Sequence, residues 1–256
     1  MFAPQLFQNK IALVTGGGSG IGKAIACQLL QYGATVYIAG RKIEKLSAAQ
    51  TELSQYGLCY TLCLDIRQPE MLTEAAQTIK TQSGRLDILV NNAGGQFPAA
   101  AETISTNGWN AVINTNLNGT FYATREMANT FFIPQKSGAI VNIIANMFRG
   151  FPGMAHTGAA RAGVDNLTKT LAVEWSRFNV RINAVAPGII FSSGLENYPP
   201  ELLQNIESKI PLKRLGTMDE VAQLSLFLAS DMATFITGET VYIDGGQRLW
   251  GDVWEM

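Results

Sequence analysis

Two hydrophobic patterns alternate along the chain. Short continuous apolar runs fall at Ile11–Thr15, Thr35–Ala39, Leu58–Leu64, Leu86–Val90, Ala139–Ala145, Val180–Ala186 and Thr240–Ile243. Runs of that length bounded by glycine and polar residues read as strands buried on both faces. Between the first two, Ile21, Ile25 and Leu29 recur at helical spacing over Ile21–Tyr32, and Gly33 supplies a stop. Further helices are predicted over Ile43–Tyr56, 69–82, 105–133, 157–178 and 218–230. Repeated β-α-β units predict an α/β fold: one doubly wound parallel sheet, Rossmann-like, with helices on both faces.

At 256 residues the chain suits one large core, so 1–256 is expected to form a single nucleotide-binding and catalytic domain. No repeat array, low-complexity tract or linker interrupts it. The irregular interval 188–211, with Ser192-Ser193 and Pro199-Pro200, follows a strand's carboxyl end and is expected to be a lid loop on the substrate side.

Composition narrows the partners. The charged share is 15% and the formal net charge −1, with no Lys/Arg cluster, which argues against nucleic acid and anionic membrane surfaces. No apolar stretch reaches membrane-spanning length, and Met1–Lys10 lacks the basic start and apolar run of a signal peptide. A cytoplasmic protein is expected. Cys27, Cys59 and Cys63 read as small buried apolar residues, and no histidine stands near them to complete a metal site, so no metal is expected.

The first chemistry-bearing motif joins the first strand to the first helix: Thr15-Gly16-Gly17-Gly18-Ser19-Gly20-Ile21-Gly22. Glycines permit a tight turn and let backbone amides approach a pyrophosphate, and the helix N-terminus favours negative charge. Cofactor preference is read at the end of the second strand. A carboxylate there would bind ribose hydroxyls and repel a 2′-phosphate. The chain has Gly40, then Arg41 and Lys42, a pair suited to a 2′-phosphate. NADP(H) is the expected cofactor.

Beyond this turn the motifs fall in a fixed order: Asp65-Ile66, Asn91-Asn92-Ala93-Gly94, Asn114-Thr115-Asn116-Leu117, Pro187-Gly188 and Asp244-Gly245-Gly246. Together with the T-G-x-x-x-G-x-G spacing of the turn, they resemble the short-chain dehydrogenase/reductase family over nearly the whole chain. The resemblance implies that Gly16, Gly18, Ser19, Gly20, Ile21 and Gly22 cradle the cofactor. It implies that Asp65 and Ile66 meet adenine, that Asn92, Ala93 and Gly94 line the site, and that Pro187, Gly188 and Ile190 lie beside nicotinamide. It also implies a homotetramer, with Trp175, Phe178, Leu167 and Leu171 as a subunit-contact stripe. The apolar tail, with Trp250 and Trp254, is expected to pack on this subunit or a neighbour.

The pattern breaks at the catalytic helix. Most members carry Y-x-x-x-K there, where tyrosine donates a proton and lysine holds the ribose. Alignment on Ala162-Gly163-Val164 places Thr157 and Arg161 at those positions, and Asn146 ends the segment where serine is usual. Only Asn116 of the tetrad remains. Threonine is a poor acid and arginine's pKa is too high for proton transfer, but Arg161 can hold a ribose or stabilise an oxyanion. Such a site suits conjugate reduction, in which charge develops on an acyl oxygen and the last proton goes to carbon.

A narrower resemblance agrees. Gly94-Gly95-Gln96-Phe97, Gly108 through Val112, and His156 through Val164 are similar to the peroxisomal trans-2-enoyl-CoA reductases, and Val164-Asp165 to the 2,4-dienoyl-CoA reductases. The expected substrate is an enoyl- or dienoyl-thioester. Asn116, Thr157 and Arg161 are the candidate catalytic residues. Asp165 is either a proton relay coupled to Arg161 or an (i, i+4) ion partner that orients it. His156 reads as a structural histidine or a general acid, Tyr122 as core packing, and Lys213-Arg214 as a solvated pair or a CoA-phosphate contact. Two other readings stay open: a carbonyl/alcohol oxidoreductase of the 3-ketoacyl type, and a non-catalytic NADP(H)-binding protein. The ending does not spell the peroxisomal S-K-L address.

Overall fold

The computed structural model describes residues 2–192 and 205–249. Strands β1 (Ile11–Thr15), β2 (Thr35–Gly40), β3 (Cys59–Cys63), β4 (Ile88–Asn91), β5 (Gly138–Ile143), β6 (Val180–Pro187) and β7 (Thr240–Ile243) pair in parallel as one sheet of order β3-β2-β1-β4-β5-β6-β7. Helices α1 (Gly20–Gln31), α2 (Ile43–Leu53) and α3 (Pro69–Ser83) connect the first four strands. Helix α4 joins β4 to β5. It is continuous through Thr106–Ile113, Gly119–Met127 and Ile133–Gln135, with π-helical turns at Asn114–Asn118 and Ala128–Phe132. Helix α5 (Ala155–Trp175) precedes β6, and α6 (Met218–Ala229) precedes β7.

Strand periodicity builds a core on each face. Ala12 and Val14 point with Val36, Ile38, Val90 and Val141 toward α1 and α6, which contribute Ile25, Leu29, Val221 and Leu226. Leu13, Tyr37, Leu89, Ile140 and Ile182 point the other way, under Leu72 and Ile79 of α3, Met127 and Phe131 of the α4 region, and Leu171 of α5. Arg181 on β6 donates to the carbonyls of Leu228, Ala229 and Ser230 and so caps the end of α6.

Several expectations shift in register. Helix α2 stops at Leu53, its last buried residue; Tyr56 is exposed and nothing anchors a further turn. Strand β5 ends at Ile143, although the Ile144 and Asn146 N–H groups still donate to the β6 carbonyls of Val185 and Pro187. Cys59 is buried but Cys63 is exposed, because β3 is an edge strand with an uncovered outer side. Of Leu167, Leu171, Trp175 and Phe178, expected at a subunit contact, Leu171 is buried in this chain's own core and the other three are half-buried against it. Within 188–211 only residues outside 193–204 are described, and Trp250 and Trp254 likewise lie outside the described residues. Among the described residues no helix is long and apolar enough to cross a membrane.

Candidate functional site

The strand order reverses between β1 and β4, and the carboxyl ends of an open parallel sheet form a crevice at such a point. The glycine turn is its floor. Gly16 has φ +67° and Gly20 φ +55°, a region L side chains rarely adopt. A Cβ at Gly16 would meet Asn92 Nδ2 at 2.8 Å, and one at Gly17 would meet Ile38 Cγ2 at 2.7 Å. Gly22 is equally confined, between Asn92 and the carbonyl of Gly16.

The turn is held from β4. Asn92 Nδ2 donates to the carbonyls of Thr15 (3.1 Å) and Gly16 (3.3 Å). The Thr15 hydroxyl accepts from the backbone N–H groups of Asn92 (3.0 Å) and Ala93 (3.1 Å) and donates to Val90. Asn92 therefore serves the cradle with its side chain and can meet a ligand only through other atoms. Ser19 is the N-cap of α1 and its hydroxyl makes no capping bond. First-turn amides of that helix thus have no Ser19 side chain upon them, and helix N-termini favour negative charge.

At the carboxyl end of β2, Gly40 closes the strand and exposed Arg41 and Lys42 follow it. Asp65 is gripped by Arg67, whose Nε lies 2.9 Å from Oδ1. That bond, with a smaller contribution from Arg41, holds the Asp65 carboxyl below its usual range. The side chain of Ile66 is buried against Gly119 and that of Ile190 against Gly216. At both positions the main chain is the part left for a ligand. Gly188 is pressed against Asp244, where a Cβ would stand 2.8 Å from Cα.

The deeper end joins α4, α5 and the loop after β4. Asn116, fully buried in the first π-helical turn, donates from Nδ2 to the Gly95 carbonyl at 2.8 Å and accepts the Gly95 N–H at 3.0 Å. Arg161 reaches the same place from α5. It is 8% exposed, and Nη1 donates to the Ile143 carbonyl at 3.0 Å. A Cβ on Gly94 would collide with Nη2. Among the described residues Arg161 has no carboxylate partner, and burial alone brings its pKa down to about 10. It remains a cation at neutral pH.

Thr157 and His156 are both fully buried at the start of α5. His156 Nδ1 accepts the Thr157 backbone N–H at 2.8 Å and lies 3.3 Å from the Thr157 hydroxyl. The Phe97 ring stands edge-on to the imidazole at 4.5 Å. Burial pushes the His156 pKa down, and the Met154 main-chain carbonyl, which favours a protonated ring, opposes it in part.

Asp165 does not join this group. Its carboxylate bonds Lys169 Nζ at 2.5 Å and accepts from the Thr240 hydroxyl at 2.5 Å. The (i, i+4) partner lies on the C-terminal side, so neither the relay to Arg161 nor the ion pair with it forms. Tyr122 packs against the core, as expected. Arg214 is paired with Glu220, and Lys213 donates to the Ser208 carbonyl, so neither is an uncommitted cation.

Three features escaped the motif reading. Gly95 is the partner of Asn116, and the Ile143 carbonyl is the anchor of Arg161. Asn146 Nδ2 donates to Asp244 at 3.0 Å, which fastens the segment after β5 to the D-G-G turn. The glycine pair Gly94-Gly95 was the one visible trace of the first; main-chain anchors leave no signature in sequence.

The family profile described as "Enoyl-(Acyl carrier protein) reductase" matches residues 16–248. A Bacillus subtilis (strain 168) protein named "Probable 2,4-dienoyl-CoA reductase" is 39% identical over 249 residues, covering 94% of this chain and 98% of its own. The 3-oxoacyl-acyl-carrier-protein reductase FabG of Thermotoga maritima is 39% identical over 241 residues, covering 93% of this chain and 98% of its own. A short chain dehydrogenase from Bacillus anthracis superposes with a TM-score of 0.91 at 42% identity, over 95% of this chain and 98% of that one.

Proposed function

The chain belongs to the short-chain dehydrogenase/reductase family of oxidoreductases, and from that premise we propose that it uses NADPH to reduce a carbon–carbon double bond of an enoyl- or dienoyl-thioester. The family binds a nicotinamide cofactor. The residues present fit one: Cβ atoms at Gly16, Gly17 and Gly22 would fill the cradle, and Arg161 is a buried cation with no carboxylate among the described residues. Gly16, Gly18, Ser19, Gly20, Ile21 and Gly22 would hold the pyrophosphate, and Arg41 and Lys42 the 2′-phosphate. Main-chain atoms of Asp65, Ile66, Asn92, Ala93, Gly94, Pro187, Gly188 and Ile190 would line the rest. When bound, the cofactor supplies the hydride.

The observation that carries the reading is Arg161. A buried cation without a counter-ion is costly, and it persists where it will meet negative charge. Beside it stand Thr157 and Asn116, neither of them an acid able to protonate an alkoxide at neutral pH. Conjugate reduction places that charge on the acyl oxygen as an enolate, which a fixed guanidinium stabilises electrostatically. Water can then deliver the remaining proton to carbon.

The crevice rim supports an acyl substrate. An exposed large apolar residue follows each of four neighbouring strands at its carboxyl end: Phe97 after β4, Phe148 after β5, Phe191 after β6 and Leu249 after β7. An apolar tail would cover them at about 25 cal/mol per Å² buried. The dienoyl-CoA reductase relative favours this substrate class, whereas the FabG relative favours a 3-ketoacyl carbonyl. The discriminating assay follows NADPH oxidation with a trans-2-enoyl-CoA, a 2,4-dienoyl-CoA and a 3-ketoacyl-CoA. Turnover of the enoyl or dienoyl substrate is expected. Turnover of the ketoacyl substrate alone would overturn the reading, and NADPH binding with no turnover would favour a non-catalytic role.

A further inference from the structure

One buried polar atom beside the site has no partner. His156, the single histidine of the chain, is fully buried, and its Nε2 is closed to solvent with no hydrogen-bond partner. Its other nitrogen is engaged, since Nδ1 accepts the Thr157 N–H at 2.8 Å. A ring nitrogen that accepts a main-chain N–H carries no proton in the neutral imidazole, so the proton resides on Nε2. The result is a buried Nε2–H that makes no hydrogen bond, so its desolvation goes uncompensated.

Packing does not require it. The neighbour of the imidazole is the Phe97 ring, 4.5 Å away at 76°, and an apolar ring would fill that space without leaving an orphan donor. Position gives the donor its meaning. Phe97 sits on the loop that opens with Gly94-Gly95, the same glycines that abut Arg161 and hold Asn116. Phe97 is also the first member of the exposed apolar rim. Phe97 thus covers the imidazole on one side, and the loop that carries Phe97 runs from the glycines that abut Arg161.

We propose that His156 is a catalytic hydrogen-bond donor, whose Nε2–H takes the carbonyl oxygen of the bound acyl thioester as the tail displaces the Phe97 ring. This rests on the thioester reading given above. For an enoyl substrate, hydride adds to the β-carbon and the double-bond pair moves into the acyl group. The carbonyl oxygen then carries negative charge, shared between the Nε2–H bond and Arg161. The imidazole keeps its proton, because giving it up would leave an imidazolate. The α-carbon takes its proton from water, so one hydride and one proton saturate the bond. The pairing is a neutral donor beside a cation, which stabilises charge without titrating a group at the oxygen.

The test uses the full-length chain without a polyhistidine tag, so that His156 supplies the only imidazole signals in ¹⁵N NMR. The Nε2–H tautomer is expected, and adding NADP⁺ with a trans-2-enoyl-CoA should shift Nε2 and leave Nδ1 nearly unmoved. An Nδ1–H tautomer, or an Nε2 signal indifferent to the thioester, overturns the proposal. Two variants separate chemistry from support. In His156→Asn the side-chain oxygen can still accept the Thr157 N–H while the Nε2 donor is lost; kcat should fall about 100-fold with NADPH affinity unchanged. His156→Gln restores a donor near Nε2 and should keep most of kcat. The reverse order, Asn active and Gln impaired, assigns His156 to holding the helix start and sinks the idea. If wild type reduces only a ketone, the thioester reading fails by itself. The tautomer and the Asn/Gln order on that ketone then decide the role of His156 separately.

Discussion

Arg161 and Gly94 are fitted to each other: the guanidinium occupies the space a Cβ at 94 would need, and that Cβ would also stand 2.8 Å from Asn116 Oδ1. Gly94→Ala is therefore expected to displace Arg161 without touching α5. We expect kcat to fall at least about 10-fold, the cost of a small misplacement of a charge-stabilising group. In a double-mutant cycle with Arg161→Lys the two losses should be strongly non-additive. Steady-state kinetics of the four proteins provide the check, and additive losses would separate Gly94 from Arg161.

Arg161 itself should set stability against activity. Among the described residues this buried cation has a carbonyl bond to Ile143 and no carboxylate, and it pays a desolvation penalty that well-packed apolar residues avoid. Arg161→Met is expected to leave thermal stability equal to wild type or raise it by about 1 kcal/mol or more, while turnover falls at least about 100-fold. A variant that loses stability as well as activity would mean that the guanidinium is chiefly a structural tie to Ile143.

Which parts of this molecule were legible follows from how each is encoded. The sheet was, because each strand is a continuous apolar run and the turn before α1 has glycines at positions with positive φ or no room for a Cβ. The substitutions Thr157 and Arg161 were legible too, since they stand at fixed offsets from Ala162-Gly163-Val164. The partner of Asp165 was not. Lys169 and Arg161 are both four residues away on the same helix, and only the approach of Thr240 from β7 shows which way the carboxylate turns. The π-helical turn at Asn114–Asn118 also left no periodic signal, yet it puts Asn116 onto Gly95.

That placement makes Asp165 a test of the corrected site. Asp165→Asn removes an ion pair with a partly exposed lysine and weakens the bond to Thr240. Exposed pairs contribute about 0.2–1 kcal/mol, so a small drop in melting temperature is expected, with kcat within about threefold of wild type. A loss near 100-fold with the fold intact would return Asp165 to the chemistry.

Cofactor preference should reside at Arg41. The end of β2 offers Gly40 rather than an acid, and Arg41 and Lys42 are exposed beside it. Charge-assisted bonds to a phosphate contribute about 1.5–3 kcal/mol, so NADPH is expected to bind at least about 10-fold more tightly than NADH. Arg41→Ala should erase most of that margin and leave NADH affinity unchanged. Gly40→Asp, which adds the missing carboxylate, should invert it. Fluorescence titration of both cofactors measures this directly, and equal affinities in wild type would refute the assignment.

The single histidine gives a pH dependence of definite sign. Burial holds the folded-state pKa of His156 below its ordinary value of 6.5, against a smaller opposing effect from Met154. Between the ordinary value and the lower folded one, the unfolded chain binds the proton and the folded chain does not. Acid therefore favours unfolding there, and stability present above 6.5 is lost as pH falls through that window. Most carboxylates titrate lower, near 4, so the histidine contribution is separable by difference. Urea midpoints of wild type and His156→Asn should differ by a constant amount from pH 8 to about 7. The difference should shift against wild type as pH drops further, then level off once both states are protonated. Parallel curves down to pH 5 would show that His156 titrates in the folded protein as it does in the open chain, contrary to a fully buried imidazole.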